Sequence, residues 1–148
     1  RILAEQAEKL TTHYAQDSEW REMEAGDLVE IDFKTPKRGE IWLVDFNPTR
    51  GAEIQKQRPA IVMSSDAIGR LPIKLVAPIT GWKPVFAGNL WHVRMIPDQR
   101  NGLEKVSAVD VLQLRGVDVE RFIRCLGRAA PGIIEEVAAA IAAVVEYQ

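Results

Sequence analysis

Between Gly39 and Leu112 the sequence falls into short β-favouring runs separated by turn residues, and this texture limits the fold more than any other feature. The runs are Ile41–Phe46, Pro59–Met63, Ile73–Ala77, Leu90–Met95 and Ala108–Leu112. They are rich in β-branched or aromatic residues and are separated by stretches that carry Gly, Pro, Asn, Asp or Ser, which is how strands read in sequence. Parallel units would need a helix between each pair. The mixture of alternating and continuous apolar runs instead predicts a small barrel, a strongly curved antiparallel sheet with one face buried. A helix then closes the chain. Pro131 suits a first helical position, and Ile133, Ile134, Val137, Ile141, Val144 and Val145 recur at helical spacing. Glu135 and Glu136 are read as first-turn acids, and the surrounding alanines favour helix and leave a low surface that packs on the barrel.

With 148 residues, 47% of them apolar and 27% charged, the chain fits one globular domain and not two full ones. Cys125 is the only cysteine, and His13 and His92 are the only histidines. An intrachain disulfide is excluded, a Cys/His metal site lacks ligands, and a reducing, cytoplasmic setting is expected. Neither a metal nor another cofactor is expected. The most apolar stretch, from Pro131 to Gln148, is broken by three glutamates and falls short of the roughly 20 apolar residues of a membrane span. Arg1 opens the sequence without an initiator Met, and no basic-then-apolar signal pattern follows, so the first residues read as a fragment boundary.

The net charge of −2 conceals an asymmetry. Residues 1–32 carry nine acids against three bases, a balance of −6, while the remainder carries 16 bases against 12 acids, or +4. Such a division suits a basic surface that binds polyanions and an acidic arm that lies on it. Within the arm, Leu3, Ala7, Leu10 and Tyr14 form one helical stripe, and Val29, Ile31 and Phe33 then share one side of an extended piece. Thr35-Pro36 marks the boundary. Two domains are therefore expected: a helical-then-extended acidic arm over 1–32, and a folded body over 33–148.

No Gly-rich phosphate loop, Ser-containing nucleophile elbow or paired-His metal motif occurs. What stands out is the long, charged, turn-rich loop from Asn47 to Pro59. Here the sequence resembles a known family. Arg38-Gly39-Glu40-Ile41-Trp42-Leu43-Val44-Asp45-Phe46-Asn47-Pro48-Thr49, then Gly51-Ala52-Glu53 and Gln57-Arg58-Pro59-Ala60-Ile61-Val62, is similar to the signature of MazF/PemK toxins. Val76-Ala77-Pro78-Ile79-Thr80 resembles that family's third strand. Gly102-Leu103, Ser107 and Gln113-Leu114-Arg115 resemble its last strand and exit. The resemblance runs over roughly residues 36–148.

The resemblance implies an SH3-like, CcdB/MazF-type barrel with a C-terminal helix, acting as a homodimer. It implies a type II toxin that arrests growth by cutting single-stranded RNA without a metal, leaving 2′,3′-cyclic phosphate and 5′-OH ends. The RNA's own 2′-OH is the nucleophile, so DNA is not cut, and no DNA contact by the toxin itself is expected. By resemblance Arg58 is the principal catalytic residue, its fork of donors suited to phosphate oxygens. Arginine is a poor general base at pH 7, so an electrostatic role is preferred. Thr80 matches the second active-site position, where its hydroxyl can donate to phosphate, although a strand-end Thr says little alone. Glu53 matches an acid of variable role, or is a solvated loop charge. Gln113 matches a position associated with base contacts. Many relatives carry small, Gly-rich residues before the catalytic Arg, whereas this chain has Ile54-Gln55-Lys56-Gln57; Lys56 and Gln57 are expected to face RNA, with Lys56 adding a phosphate contact. Trp82 and Lys83 follow Thr80, and Trp82 either stacks a base or belongs to the core. Trp42 and Trp91, inside strand runs, are expected in the core.

The resemblance also implies an antitoxin partner with an acidic C-terminal tail, helical and then extended, lying over the RNA groove. Residues 1–32 have that character. The favoured reading is a fused MazE-type tail, natural or engineered, anchored by Trp20, Met23, Leu28, Val29 and Ile31; the other is an unrelated extension. In function, the alternative to an endoribonuclease is a CcdB-like toxin that binds a protein target such as gyrase.

Overall fold

The computed structural model describes residues 35–147. The acidic arm and its expected anchors Trp20, Met23, Leu28, Val29 and Ile31 lie outside the described residues. Seven strands are followed by one helix: β1 (Glu40–Asp45), β2 (Gln57–Val62), β3 (Ile73–Gly81), β4 (His92–Met95), β5 (Ser107–Asp110), β6 (Arg115–Asp118), β7 (Phe122–Arg128) and α1 (Pro131–Val144). Every pairing is antiparallel. Strand order is β4-β5-β3-β2-β1-β7, with β6 also on β3.

Strand β3 organises the sheet. One edge takes β2, from Ala60↔Pro78 to Val62↔Val76. The other takes β6 along Ile73–Val76 and then β5 along Ile79–Gly81. Pro78 falls in the gap between those two partners, where its missing N–H breaks no ladder bond. Pro59 is placed by the same logic: it pairs with Leu43 of β1, one residue before pairing to β3 begins. Prolines that interrupt the sequence pattern thus mark where a strand changes neighbours.

The five expected strands are present with shifted ends, and two more, β6 and β7, exceed the expectation. The run expected as Ala108–Leu112 stops at Asp110. Its carboxylate accepts from Leu112 N (3.1 Å) and turns the chain into a 3-10 turn over Val111–Gln113. The expectation of one buried face is also corrected. On β2, Ala60 and Val62 join Val44, Phe46, Val76, Val117 and Phe122 in one cluster. Ile61, with Met63 just beyond the strand, joins Ile41, Ala77, Ile79, Val109 and Val137 in a second. Both faces are covered, so the run Pro59–Met63 is continuously apolar instead of alternating. Burying a Val- or Ile-sized side chain contributes about 1.5–3 kcal/mol, so the two clusters carry most of the stabilisation.

Helix α1 covers the second cluster with Val137 and Ala140 buried. It begins at Pro131 as expected, but Glu135 and Glu136 lie beyond its first turn. Gly39 (φ +87°) lets the chain enter β1 beneath it; a Cβ there would collide with Ile134. Trp42 and Trp91 are half-buried at the margins of the clusters. Among the described residues no helix is long and apolar enough to cross a membrane.

Candidate functional site

Arg58 leaves β2 opposite Val44, one residue inside the strand that ends the long loop. Its Nε donates to the carbonyl of Gln55 (3.3 Å), so the loop backbone sets the direction of the guanidinium. Thr80 sits near the end of β3 opposite Ala108. The two side chains meet at two adjoining clefts. One, of about 460 Å³, runs toward Glu104, Arg124 and Cys125. The other, of about 590 Å³, runs toward Trp82, Lys83 and Arg94. Five cations line them, namely Arg58, Lys83, Arg94, Lys105 and Arg124, against a single carboxylate, Glu104. Among the described residues no acid lies within ion-pair distance of any of the five. Such a surface attracts a polyanion and offers fixed donors to its phosphates.

Trp82 is neither a core residue nor a free platform. Its backbone N–H donates to Val106 O (3.0 Å), and its half-buried ring stands edge-on to Phe86 at 5.9 Å. The Arg94 guanidinium lies 5.5 Å from the ring centre, and Phe86 in turn stacks on His92 at 3.9 Å. This packing fixes Trp82 at the cleft wall, with Arg94 over its face as a cation–π partner. Lys83, next in the chain, is exposed.

Glu53 and Gln113 lie apart from Arg58 and Thr80, in another groove of about 530 Å³ beside Ile54, Phe46 and Arg115. Gln113 uses its whole amide on the loop. Oε1 accepts from Ile54 N (2.7 Å) and Nε2 donates to Ala52 O (3.0 Å). Glu53 folds back to accept from Arg50 N (2.7 Å). Lys56 adopts φ +68°, with its N–H on Asn47 Oδ1 (3.0 Å) and its carbonyl on Phe46 N (3.0 Å). A glycine fits that conformation freely, whereas Lys56 holds it at a steric cost. Gln57 pairs with Asp45 at the start of β2 and is exposed. Four of the expected residues therefore converge (Arg58, Thr80, Trp82 and Lys83), two share the second groove, Lys56 lies in the loop between them, and Gln57 lines a third groove beside Asp45, Asp118 and Glu120. A continuous path of contacts links the groups: Gln113 holds Ala52 and Ile54, and Gln55 then holds Arg58.

Glu104, Lys105, Arg94 and Arg124 were not singled out in the sequence. Lys105 lies between Gly102-Leu103 and Ser107, inside a segment that carries the resemblance, and that placement was an available signal. Arg124 belongs to β7, which the pattern did not reveal. Cys125, also on β7, is no ready nucleophile: partial burial, and after it the carboxylate of Glu40, push its thiol pKa up. Among the described residues no group of three or more His, Cys, Asp or Glu side chains is placed to hold a metal ion.

Comparison with known proteins gives this geometry a context. Residues 37–145 match the family model described as PemK-like, MazF-like toxin of type II toxin-antitoxin system. The endoribonuclease toxin ChpB of Escherichia coli (strain K12) is 35% identical over 113 residues, covering 74% of this chain and 94% of the relative. Endoribonuclease MazF9 of Mycobacterium tuberculosis is 33% identical over 98 residues, 64% of this chain and 82% of that one. In three dimensions the fold is similar to MazF from Deinococcus radiodurans, with a TM-score of 0.63 at 24% identity, covering 75% of this chain and 96% of that one. It is also similar to a mycobacterial endoribonuclease solved in complex with its cognate antitoxin, with a TM-score of 0.62 at 16% identity, covering 77% and 98%. By its sequence over 37–145, and in keeping with its seven-stranded sheet and C-terminal helix, the chain belongs to the PemK-like, MazF-like toxins of type II toxin–antitoxin systems.

Proposed function

We propose that this chain is an endoribonuclease that cuts single-stranded RNA by attack of a 2′-OH on the adjacent phosphodiester. The observation that carries the reading is the convergence of Arg58 and Thr80, from separate strands, on clefts lined by five cations and one carboxylate. The named activity of ChpB and MazF9 supports it. In the reaction the 2′-O–P bond forms, the P–5′-O bond breaks, the 2′ proton leaves and the 5′ oxygen gains one. Products are a 2′,3′-cyclic phosphate and a 5′-OH. Arg58 faces the charge that grows on the non-bridging oxygens, a stabilisation commonly worth about 3 kcal/mol per donor. Thr80 donates a hydroxyl hydrogen bond to the same group. Lys83 and Trp82 extend the cleft for flanking nucleotides, Lys56 carries the strand toward the Glu53 and Gln113 groove, and Gln57 meets RNA from its own neighbouring groove.

The domain reading divides the chain into an acidic arm over 1–32 and a toxin body over 33–148. The body acts as a homodimer in the cytoplasm, and its cleft accepts a MazE-like acidic antitoxin tail, the role assigned to residues 1–32. A tethered tail has an effective concentration around millimolar for a suitable linker, so this chain is partly self-inhibited. A gyrase-binding, CcdB-like action has no observation in its favour. The test is incubation of the full chain, and of the chain lacking residues 1–32, with mixed RNA in EDTA. Cyclic-phosphate ends and higher activity after the deletion are expected. Equal activity of the two refutes the inhibitory arm, and cleavage that needs an added metal refutes the mechanism.

A further inference from the structure

The two clefts share four lining residues, Arg58, Thr80, Gly81 and Lys105. The first two have roles in the proposed reaction. Gly81 and Lys105 form a pair. The Lys105 side chain lies along Gly81: a Cβ built on that glycine would stand 3.2 Å from Lys105 Nζ and 3.3 Å from its Cε. A Cβ at 81 would crowd Nζ and Cε by a few tenths of an ångström, so the bare backbone directly after Thr80 lets the ammonium sit close. The backbone that carries the side chain is anchored as well. The Lys105 carbonyl accepts from the hydroxyl of buried Ser107 (2.8 Å), and the neighbouring Val106 carbonyl accepts from Trp82 N (3.0 Å). Among the described residues the ammonium has no carboxylate within ion-pair distance.

We propose that Lys105 is a further catalytic residue, a second cation on the scissile phosphate, seated by Gly81. The inference rests on the ribonuclease reading above. Transesterification gathers a second negative charge on the phosphorane. A guanidinium fork spans two oxygens in its own plane, and a compact ammonium with three rotatable donors serves a different direction. Lys105 keeps its proton throughout: the 2′ proton passes to solvent water, and the departing 5′ oxygen takes one from solvent water. A lysine that only tracks the RNA backbone weakens binding and lowers the salt dependence. A lysine on the reacting phosphate slows the chemical step more than it weakens binding.

The test uses the full chain, an RNA that it cleaves, and a copy with a 2′-deoxy nucleotide at the cleaved position. Single-turnover rates at saturating protein and affinities for the uncleavable copy are measured for wild type, Lys105→Gln, Lys105→Arg, Gly81→Ala and the Gly81→Ala/Lys105→Gln double variant. Lys105→Gln is expected to slow the chemical step on the order of 10²-fold while binding changes by less than about tenfold. Lys105→Arg restores part of the rate. Gly81→Ala, which crowds Lys105 Nζ and Cε without touching the charge, is expected to slow cleavage modestly in the wild-type background and to add nothing to Lys105→Gln. The proposal is overturned by an unchanged rate in Lys105→Gln, by equal losses in rate and binding, or by a Gly81→Ala loss that adds in full to that of Lys105→Gln. A wild-type chain that cleaves no RNA overturns the ribonuclease reading itself, an outcome distinct from wild-type cleavage that Lys105→Gln leaves intact.

Discussion

Replacing Gln113 by Ala tests whether the structure has placed this residue correctly in the chain of causes. Its amide makes two hydrogen bonds to the β1–β2 loop, to Ile54 N at 2.7 Å, partly buried, and to Ala52 O at 3.0 Å, exposed. A net hydrogen bond contributes about 0.5–1.5 kcal/mol, the buried one near the top of that range, so the clamp holds the loop by about 2 kcal/mol. Losing it shifts the closed-to-open ratio of the loop roughly 30-fold. Hydrogen exchange at the Ile54 amide reads this directly, because local opening controls its protection. Gln113→Glu keeps the acceptor for Ile54 N and loses the donor to Ala52 O, so its protection loss is smaller, about tenfold or less. RNA cleavage falls in both variants, since the same loop orients Arg58 through Gln55 O (3.3 Å). Unchanged Ile54 exchange in Gln113→Ala, together with lost cleavage, would refute the clamp and leave direct contact with a base as the role of Gln113.

Lys56→Gly, at φ +68°, relieves a left-handed conformation that costs a non-glycine residue about 1 kcal/mol; urea unfolding is expected to show stability raised or unchanged, and a loss above about 1 kcal/mol would contradict this. Gly102→Ala combines φ +69° with a Cβ that would overlap the Leu126 backbone carbonyl, so a loss of about 3 kcal/mol or more is expected in the same assay. Lys74 is buried, with Nζ on Gly69 O (2.7 Å), and its pKa is lowered from 10.5, first by burial, then by Lys37, against the opposing pull of Asp66. Between the lowered folded value and 10.5 the unfolded chain binds more protons, so wild-type stability relative to Lys74→Met rises with pH across that alkaline window; a fall would refute the assignment.

The parts of the fold visible in sequence are those whose pattern reflects burial alone. The apolar runs of β1 to β3 and the heptad-like spacing of α1 belong to this class. Strand β7 was hidden because only Phe122 of its seven residues is buried; Arg124, Gly127 and Arg128 break any alternation, and its register with β1 shifts twice. Strand β6, Arg115–Asp118, buries only Val117 and exists because β3 offers it an edge. The same limit applies to the site. Arg58 and Thr80 stand in segments with a recognisable signature. Lys105 lies in a segment that carries the resemblance, but its place beside Gly81 exists only once β3 and the segment after β4 come together. The double burial of β2 was present in the continuous run Pro59–Met63, but a run of five cannot by itself distinguish two covered faces from one.

The central claim is that Arg58 drives RNA cleavage from a cleft built by β2 and β3. Its most direct test is to map 5′-OH ends in mixed RNA, in EDTA, after incubation with the chain lacking residues 1–32, with and without Arg58→Ala. The account predicts sequence-restricted ends that Arg58→Ala reduces about 10²-fold or more. Ends that persist undiminished in Arg58→Ala, or no cleavage by either protein, would contradict it.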